Sequence, residues 1–330
     1  MLNMKKILLI ATGGTIASSK KEHGVEPSFG AEGLLEFVSY DKSACDIHSK
    51  LIMNIDSVNM NPGLVAKIAQ TIYESYNDYD GFVITHGTDT LGHTSALLTY
   101  MLRNIKKPVI LTGSQIPIGS PDTDATRNLS EALRFSLEDI WGVFVAFDGK
   151  LINGTRVNKF RTKSKDAFRS VNYPYAAHIE SGEIAFNKEV IIELKAGMDE
   201  PFALKTALCT NILIIKLYPG MDNKIFDYLK KEYKGIIIES FGTGAVPCEG
   251  GNYDVAARIR ELLDEGVSVA VTTQCFEEGV NLGEYKVGRE LARNKIILVR
   301  DMATEAVASK LMWALGNCLH RLQRNAVTSR

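Results

Sequence analysis

A surplus of charge of either sign is missing from this sequence: 38 Lys and Arg stand against 39 Asp and Glu, a formal net charge of −1. That removes the electrostatic basis for binding nucleic acid or an anionic membrane surface, so neither is expected as a partner. Cysteine is scarce and scattered. Cys45, Cys209, Cys248, Cys275 and Cys318 form no C-x-x-C pair, and their number is odd. A disulfide framework and a zinc site are therefore not expected, and reduced thiols point to the cytoplasm. The six histidines are dispersed, with no H-E-x-x-H spacing, so no metal is expected. Long apolar runs are missing too. In the opening MLNMKKILLIATGG, Ile7 to Ala11 is followed at once by Thr12 and two glycines. That run is too short for a signal core or a span and reads as a first β-strand.

What is present is a soluble globular composition, 45% hydrophobic and 23% charged, over 330 residues. Single cores rarely grow that large, so two domains are expected. Strand-like and helix-like segments alternate. Residues 6–11, 81–85, 108–112 and 142–147 are strands. Residues 33–40, 63–76, 90–104 and 122–138 carry helical spacing; in the second of these Leu64, Ile68, Ile72 and Tyr76 recur every four residues. Continuous Ile/Val/Leu runs between helices imply a parallel sheet covered on both faces. After Phe147 the pattern changes, and residues 148–161 and 179–194 read as hairpins or extended arms. The expected architecture is α/β. A larger, mostly parallel N-terminal domain covered by helices spans residues 1–194, a linker 195–210, and a smaller C-terminal α/β domain 211–330. The clearest C-terminal strands are 212–217, 235–239, 268–272 and 295–300; its clearest helices are 254–265 and 304–315.

The strands of the first domain end alike. ILLIATGGT ends in Thr12-Gly13-Gly14-Thr15, FVITHGTDT in His86-Gly87-Thr88-Asp89, VILTGSQIP in Thr112-Gly113-Ser114-Gln115, and LIMNIDSVNM near Asp56-Ser57. In an open parallel sheet all carboxyl ends lie on one edge, where ligands bind. Several loops are thus expected to bring Thr, Ser, Asp and Gln to one crevice. Gly13-Gly14 is not a P-loop, because no Lys-Ser/Thr follows, and it lacks the G-x-G-x-x-G of a dinucleotide site. His86 reads as a structural hydrogen-bonder rather than a base. Asp89 directly follows a buried strand, a costly place for a carboxylate without a cationic partner or ligand.

These residues carry a family likeness. ATGGTIAS (residues 11–18) and GFVITHGTDT (81–90) resemble the two signature segments of the bacterial-type L-asparaginases. The likeness continues through NIDS, PVILTGSQIP, YPG, TTQC, TEA and KLMWALG, and is strongest to the cytoplasmic type I enzymes. It implies the same two-domain fold, hydrolysis of L-asparagine to L-aspartate and ammonia without a cofactor, and a homodimer or homotetramer. By resemblance Thr15 matches the nucleophile, Thr88 and Asp89 the second catalytic threonine and its acidic neighbour, and Lys159 the lysine paired with that threonine. Asp56 and Ser57 match substrate-binding positions, the serine for the α-carboxylate; Asp89 is expected to hold the α-ammonium, and Ser114 also to line the substrate.

The chemistry fits these residue types. A threonine hydroxyl is a poor nucleophile until a base takes its proton. A lysine desolvated beside Thr88 could act as that base. Backbone N–H groups at Gly87-Thr88 and Ser114-Gln115 could hold the oxyanion. The sequence departs from the family at two points. Val25 stands where many members carry a loop tyrosine, in the stretch 18–30 that reads as a flexible lid. By the same resemblance Cys275 matches the TQC cysteine of the allosteric site of some type I enzymes, and Glu239 stands where an arginine accompanies it there. Two alternatives to the asparaginase reading are a related amidohydrolase, such as a glutaminase-asparaginase or a component of an amidotransferase, and a non-enzymatic binding module on the same fold.

Overall fold

A computed structural model describes residues 4–21, 24–27, 30–40, 42–283 and 296–328. The chain forms two compact units, residues 1–206 and 207–330, which divide within the stretch expected as a linker.

In the first unit the elements follow in the order β1 (Lys5–Gly13), β2 (Ser18–Lys21), β3 (Gly24–Pro27), α1 (Ala31–Leu35), β4 (Cys45–Ile55), α2 (Pro62–Glu74), β5 (Gly81–Thr85), α3 (Leu91–Met101) and β6 (Leu102–Arg103). There follow β7 (Pro108–Thr112), α4 (Ala125–Ser136), β8 (Gly142–Phe147), β9 (Lys150–Asn153), β10 (Val157–Lys159), β11 (Phe168–Ser170), β12 (Ala177–Glu180), β13 (Glu183–Phe186), α5 (Lys188–Ala196) and β14 (Ala203–Leu204). Eight strands make the main sheet in the order β13-β12-β9-β8-β7-β5-β1-β4. From β4 to β8 every neighbouring pair is parallel; β9, β12 and β13 add antiparallel strands at the far edge.

Every residue of β5, β7 and β8 is buried, because helices cover both faces of the parallel strands. This is why their sequences are continuous apolar runs rather than alternations. β4 is the edge strand, and its residues are mostly part-exposed. The chain leaves β1 for β4 on one side and returns to β5 on the other. That reversal opens a crevice at the carboxyl ends of β4, β1 and β5.

The stretch 179–194, expected as hairpin or arm, holds the β12–β13 hairpin but ends in helix α5, capped by the Asn187 side chain accepting from the Val190 N–H. The stretch expected as a lid contains the ribbon β2–β3, with Lys20 opposite Val25; residues 22, 23, 28 and 29 of it lie outside the described residues.

The second unit comprises β15 (Ile212–Lys216), α6 (Ile225–Glu232), β16 (Gly235–Ser240), α7 (Val255–Asp264), β17 (Ser268–Thr273), β18 (Ile297–Leu298) and α8 (Thr304–Thr328) among the described residues. Its four strands are parallel, in the order β15-β16-β17-β18. Ile236, Ile238, Val269 and Val271 fill one face of this sheet against Phe226, Leu229, Ile259 and Leu262 from α6 and α7.

Candidate active site

The loops after β4, β1 and β5 are stacked backbone on backbone. Gly14 has φ +83°, and a Cβ there would lie 2.4 Å from Gly87 N and 2.5 Å from Gly87 Cα. A Cβ on Gly87 would in turn lie 2.5 Å from Ser57 Oγ. Only glycine fits at these two points, and their closeness brings TGGT, HGTDT and NIDS to one place. Thr15 opens a single 3-10 turn directly after Gly14 and is part-buried. Its hydroxyl makes no hydrogen bond among the described residues.

Thr88 is buried, and two distant residues converge on it. Lys159 Nζ, at the end of β10, donates to Thr88 Oγ1 at 2.7 Å and to Asp89 Oδ1 at 2.7 Å. The Thr88 hydroxyl donates onward to Gln115 Oε1 at 3.2 Å. The Asp89 side chain is 54% exposed and that of Lys159 18%, so the ion pair stabilises the fold little. Its consequence is positional: it holds an ammonium group against a threonine hydroxyl. Ser57 Oγ accepts from the Asp89 N–H at 3.3 Å, and the Thr90 hydroxyl donates to the Ser57 carbonyl at 2.8 Å.

Beneath the loop, His86 is fully buried. A carbonyl can only accept, so Nδ1–H donates to Gly87 O at 2.6 Å and Nε2 accepts from the Thr94 hydroxyl at 3.0 Å. Burial pushes its pKa down to about 4, and the neutral ring acts as a clamp between the loop and α3.

The structure unites Thr88, Asp89, Lys159 and Ser57 in one bonded cluster and sets Thr15 on the adjoining loop. Asp56 is exposed, and its carboxylate accepts from the Val58 N–H at 3.1 Å. Ser114 is fully buried, and its hydroxyl donates to the Ile116 carbonyl at 2.7 Å, closing its own turn. The Gln115 N–H, expected as an oxyanion donor, is taken by Asp124 Oδ2 at 3.0 Å. Cys275, in the second unit, is exposed, and its N–H donates to Thr273 Oγ1 at 3.0 Å. Glu239 of that unit accepts from the Thr304 hydroxyl at 3.0 Å.

Sequence reasoning missed Asp124. It stands at the start of α4 without capping that helix, and reaches back to the loop after β7. Its carboxylate accepts from Gln115 N, from Ile116 N at 2.9 Å and from Asn128 Nδ2 at 3.1 Å; Asn128 Nδ2 also donates to Gly113 O at 3.0 Å. The i,i+4 spacing of Asp124 and Asn128 puts both on one helix face, which was the available signal. Among the described residues no group of His, Cys, Asp and Glu is arranged to hold a metal ion, and no helix is long and apolar enough to cross a membrane.

Comparison with known proteins agrees with this geometry. Residues 6–192 match the family described as Asparaginase, N-terminal, and residues 211–325 the Glutaminase/Asparaginase C-terminal domain. The chain belongs to the asparaginase family. It is a hydrolase of that family, with the family's larger sheet domain and smaller C-terminal domain. The L-asparaginase of Thermococcus kodakarensis is 37% identical over 316 residues, covering 94% of this chain and 93% of that protein; its solved structure superimposes with a TM-score of 0.87. L-asparaginase I from Vibrio cholerae is 31% identical, covers 95% of this chain and 93% of its own, and gives a TM-score of 0.82. A component of the glutamyl-tRNA(Gln) amidotransferase of Pyrococcus abyssi is 36% identical over 326 residues, covering 95% of this chain but 73% of that polypeptide.

Proposed function

We propose that this asparaginase-family hydrolase is a cytoplasmic, homo-oligomeric L-asparaginase that releases ammonia from L-asparagine by threonine chemistry. The observation that carries the reading is Lys159 Nζ at 2.7 Å from both Thr88 Oγ1 and Asp89 Oδ1, on a loop touching the one that bears Thr15.

A threonine Oγ attacks the side-chain amide carbon and surrenders its proton; the new C–O bond forms, and the C–N bond then breaks as the nitrogen takes up a proton and leaves as ammonia. Water attacks the resulting aspartyl ester, one of its protons returns to the threonine oxygen, and aspartate leaves. Thr15 is the candidate for the covalent step. Lys159 lies within reach to pass a proton to or from Thr88 Oγ1. The Thr88 N–H makes no hydrogen bond among the described residues and is the candidate donor to the oxyanion, a role whose loss typically costs about 3 kcal/mol in barrier. Ser57 and Asp89 are the candidates for the substrate's α-carboxylate and α-ammonium.

A role within an amidotransferase is favoured by the identity to the P. abyssi polypeptide, but the asparaginase of T. kodakarensis is covered nearly end to end and the amidotransferase component to 73%. The test is ammonia release from L-asparagine and L-glutamine by the wild type, Thr15→Ala and Thr88→Ala. Asparagine cleaved fastest, with both variants down by orders of magnitude, supports the proposal. A wild type silent on both amides would sink it.

A further inference from the structure

β10 and β11 pair as a hairpin whose tip, residues 161–165, is exposed throughout. In a chain of net charge −1, this hairpin carries Arg156, Lys159, Arg161, Lys163, Lys165 and Arg169 against the single acid Asp166. Four of these cations have partners. Lys159 pairs with Asp89, and Arg161 with Asp166. Arg156 lies over the Tyr173 ring at 5.1 Å, and Arg169 over Phe160 at 4.0 Å. Lys163 and Lys165 make no ion pair among the described residues.

Those two lysines flank Ser164, whose carbonyl accepts from Gln115 Nε2 at 3.3 Å. The other end of the same amide, Oε1, accepts from Thr88. The tip is thus fastened one side chain away from Thr88. With about 3.8 Å between successive Cα atoms, both ammonium groups fall within roughly 10 Å of the Ser164 Cα. Of the acids around the site, Asp89 is paired with the Lys159 ammonium, whereas Asp124 and Asp56 accept from neutral N–H groups and keep their charge on the far side of Gln115 and Ser57 from the hairpin tip.

We propose that Lys163 and Lys165 form an anion subsite at the mouth of this site, selecting ligands of net negative charge and above all the carboxylate product. The inference rests on the asparaginase reading. Asparagine is neutral overall; hydrolysis turns its amide into a carboxylate and creates one negative charge. Two ammonium groups at this range attract aspartate and leave asparagine nearly unaffected, and salt screens the attraction. The enzyme is therefore inhibited by its product at low ionic strength and released from it as salt rises.

The experiment compares the inhibition constant of L-aspartate with the KM of L-asparagine at about 0.01 and 0.15 M ionic strength. It uses the wild type, K163Q/K165Q, K163E/K165E and K163R/K165R. At low salt the ratio of the two constants should rise about twofold in the Gln pair, further in the Glu pair, and stay at the wild-type value in the Arg pair. Salt should carry the wild type toward the Gln pair. A ratio equal in all four proteins, or indifferent to salt, overturns the subsite. Calorimetric binding of L-aspartate to the same proteins needs no turnover. If the wild type does not cleave asparagine, the functional reading fails; a charge- and salt-dependent aspartate affinity then still upholds the subsite, and its absence overturns it.

Discussion

Gly87 passes so close to Gly14 that a single added methyl on Gly14 would sit 2.4 Å from the Gly87 nitrogen. The neighbour is backbone rather than a flexible side chain, so it cannot step aside, and the φ of +83° adds strain for any other residue. Gly14→Ala is expected to lose at least about 2 kcal/mol of stability by denaturant unfolding. It should also lower kcat, because the displaced loop carries Thr15. Wild-type stability in this variant would mean that the loops are not in contact.

Lys159 and Asp89 should separate chemistry from stability. Lys159→Met is expected to lower kcat by about 10²-fold or more. The melting temperature should barely move, because the pair is partly exposed. Asp89→Asn should raise the KM for asparagine as well as lower kcat. A large loss of Tm in Lys159→Met, with kcat retained, would make the lysine a structural strut.

Asp124 is 5% exposed and serves three N–H donors. Asp124→Ala leaves the part-buried Gln115 and Ile116 N–H groups without their acceptor, at a cost of about 1–3 kcal/mol. Asp124→Asn, which keeps one acceptor oxygen, should cost less. Thermal melts rank the two. Because Gln115 meets Thr88, kcat should fall in both while KM changes less.

His86 gives stability a pH dependence of known sign. Its folded-state pKa of about 4 lies below its ordinary value of 6.5. Between these values the unfolded chain binds more protons than the folded one, so stability rises with pH across the window. The contribution is complete above about pH 6.5. It is lost as pH falls toward 4, by up to about 3 kcal/mol. Urea unfolding of the wild type at pH 7.5 and pH 5, which spans the upper part of this window, should differ by about 2 kcal/mol, and His86→Gln should show a smaller difference. An equal difference in both proteins would assign the pH dependence to other groups.

Where sequence reading succeeded, local chemistry and the final environment agreed. The runs ILLIA, FVIT and VILT could only be strands buried on both faces, and they end in polar clusters at one edge of the sheet. Where it fell short, the deciding partner lay far along the chain. The stretch ending in α5 has its helix start at an Asn187 cap placed by the preceding hairpin. Ser114 carries the same hydroxyl as Ser57, yet one is consumed by its own turn and the other accepts from the Asp89 N–H. Composition cannot tell them apart.

By itself, the amino-acid sequence determined the α/β architecture, the edge on which the polar loops collect, and the family. Periodicity, glycine placement and motif spacing are properties of short stretches, and short stretches suffice to read them. Only the tertiary structure decided that Lys159 meets Thr88 across 71 residues of chain, that Asp124 rather than a ligand takes the Gln115 N–H, and that Gly14 rests on Gly87. Those are distances of a few ångströms between residues far apart in sequence, and they exist only once strand order and register bring the chain back on itself.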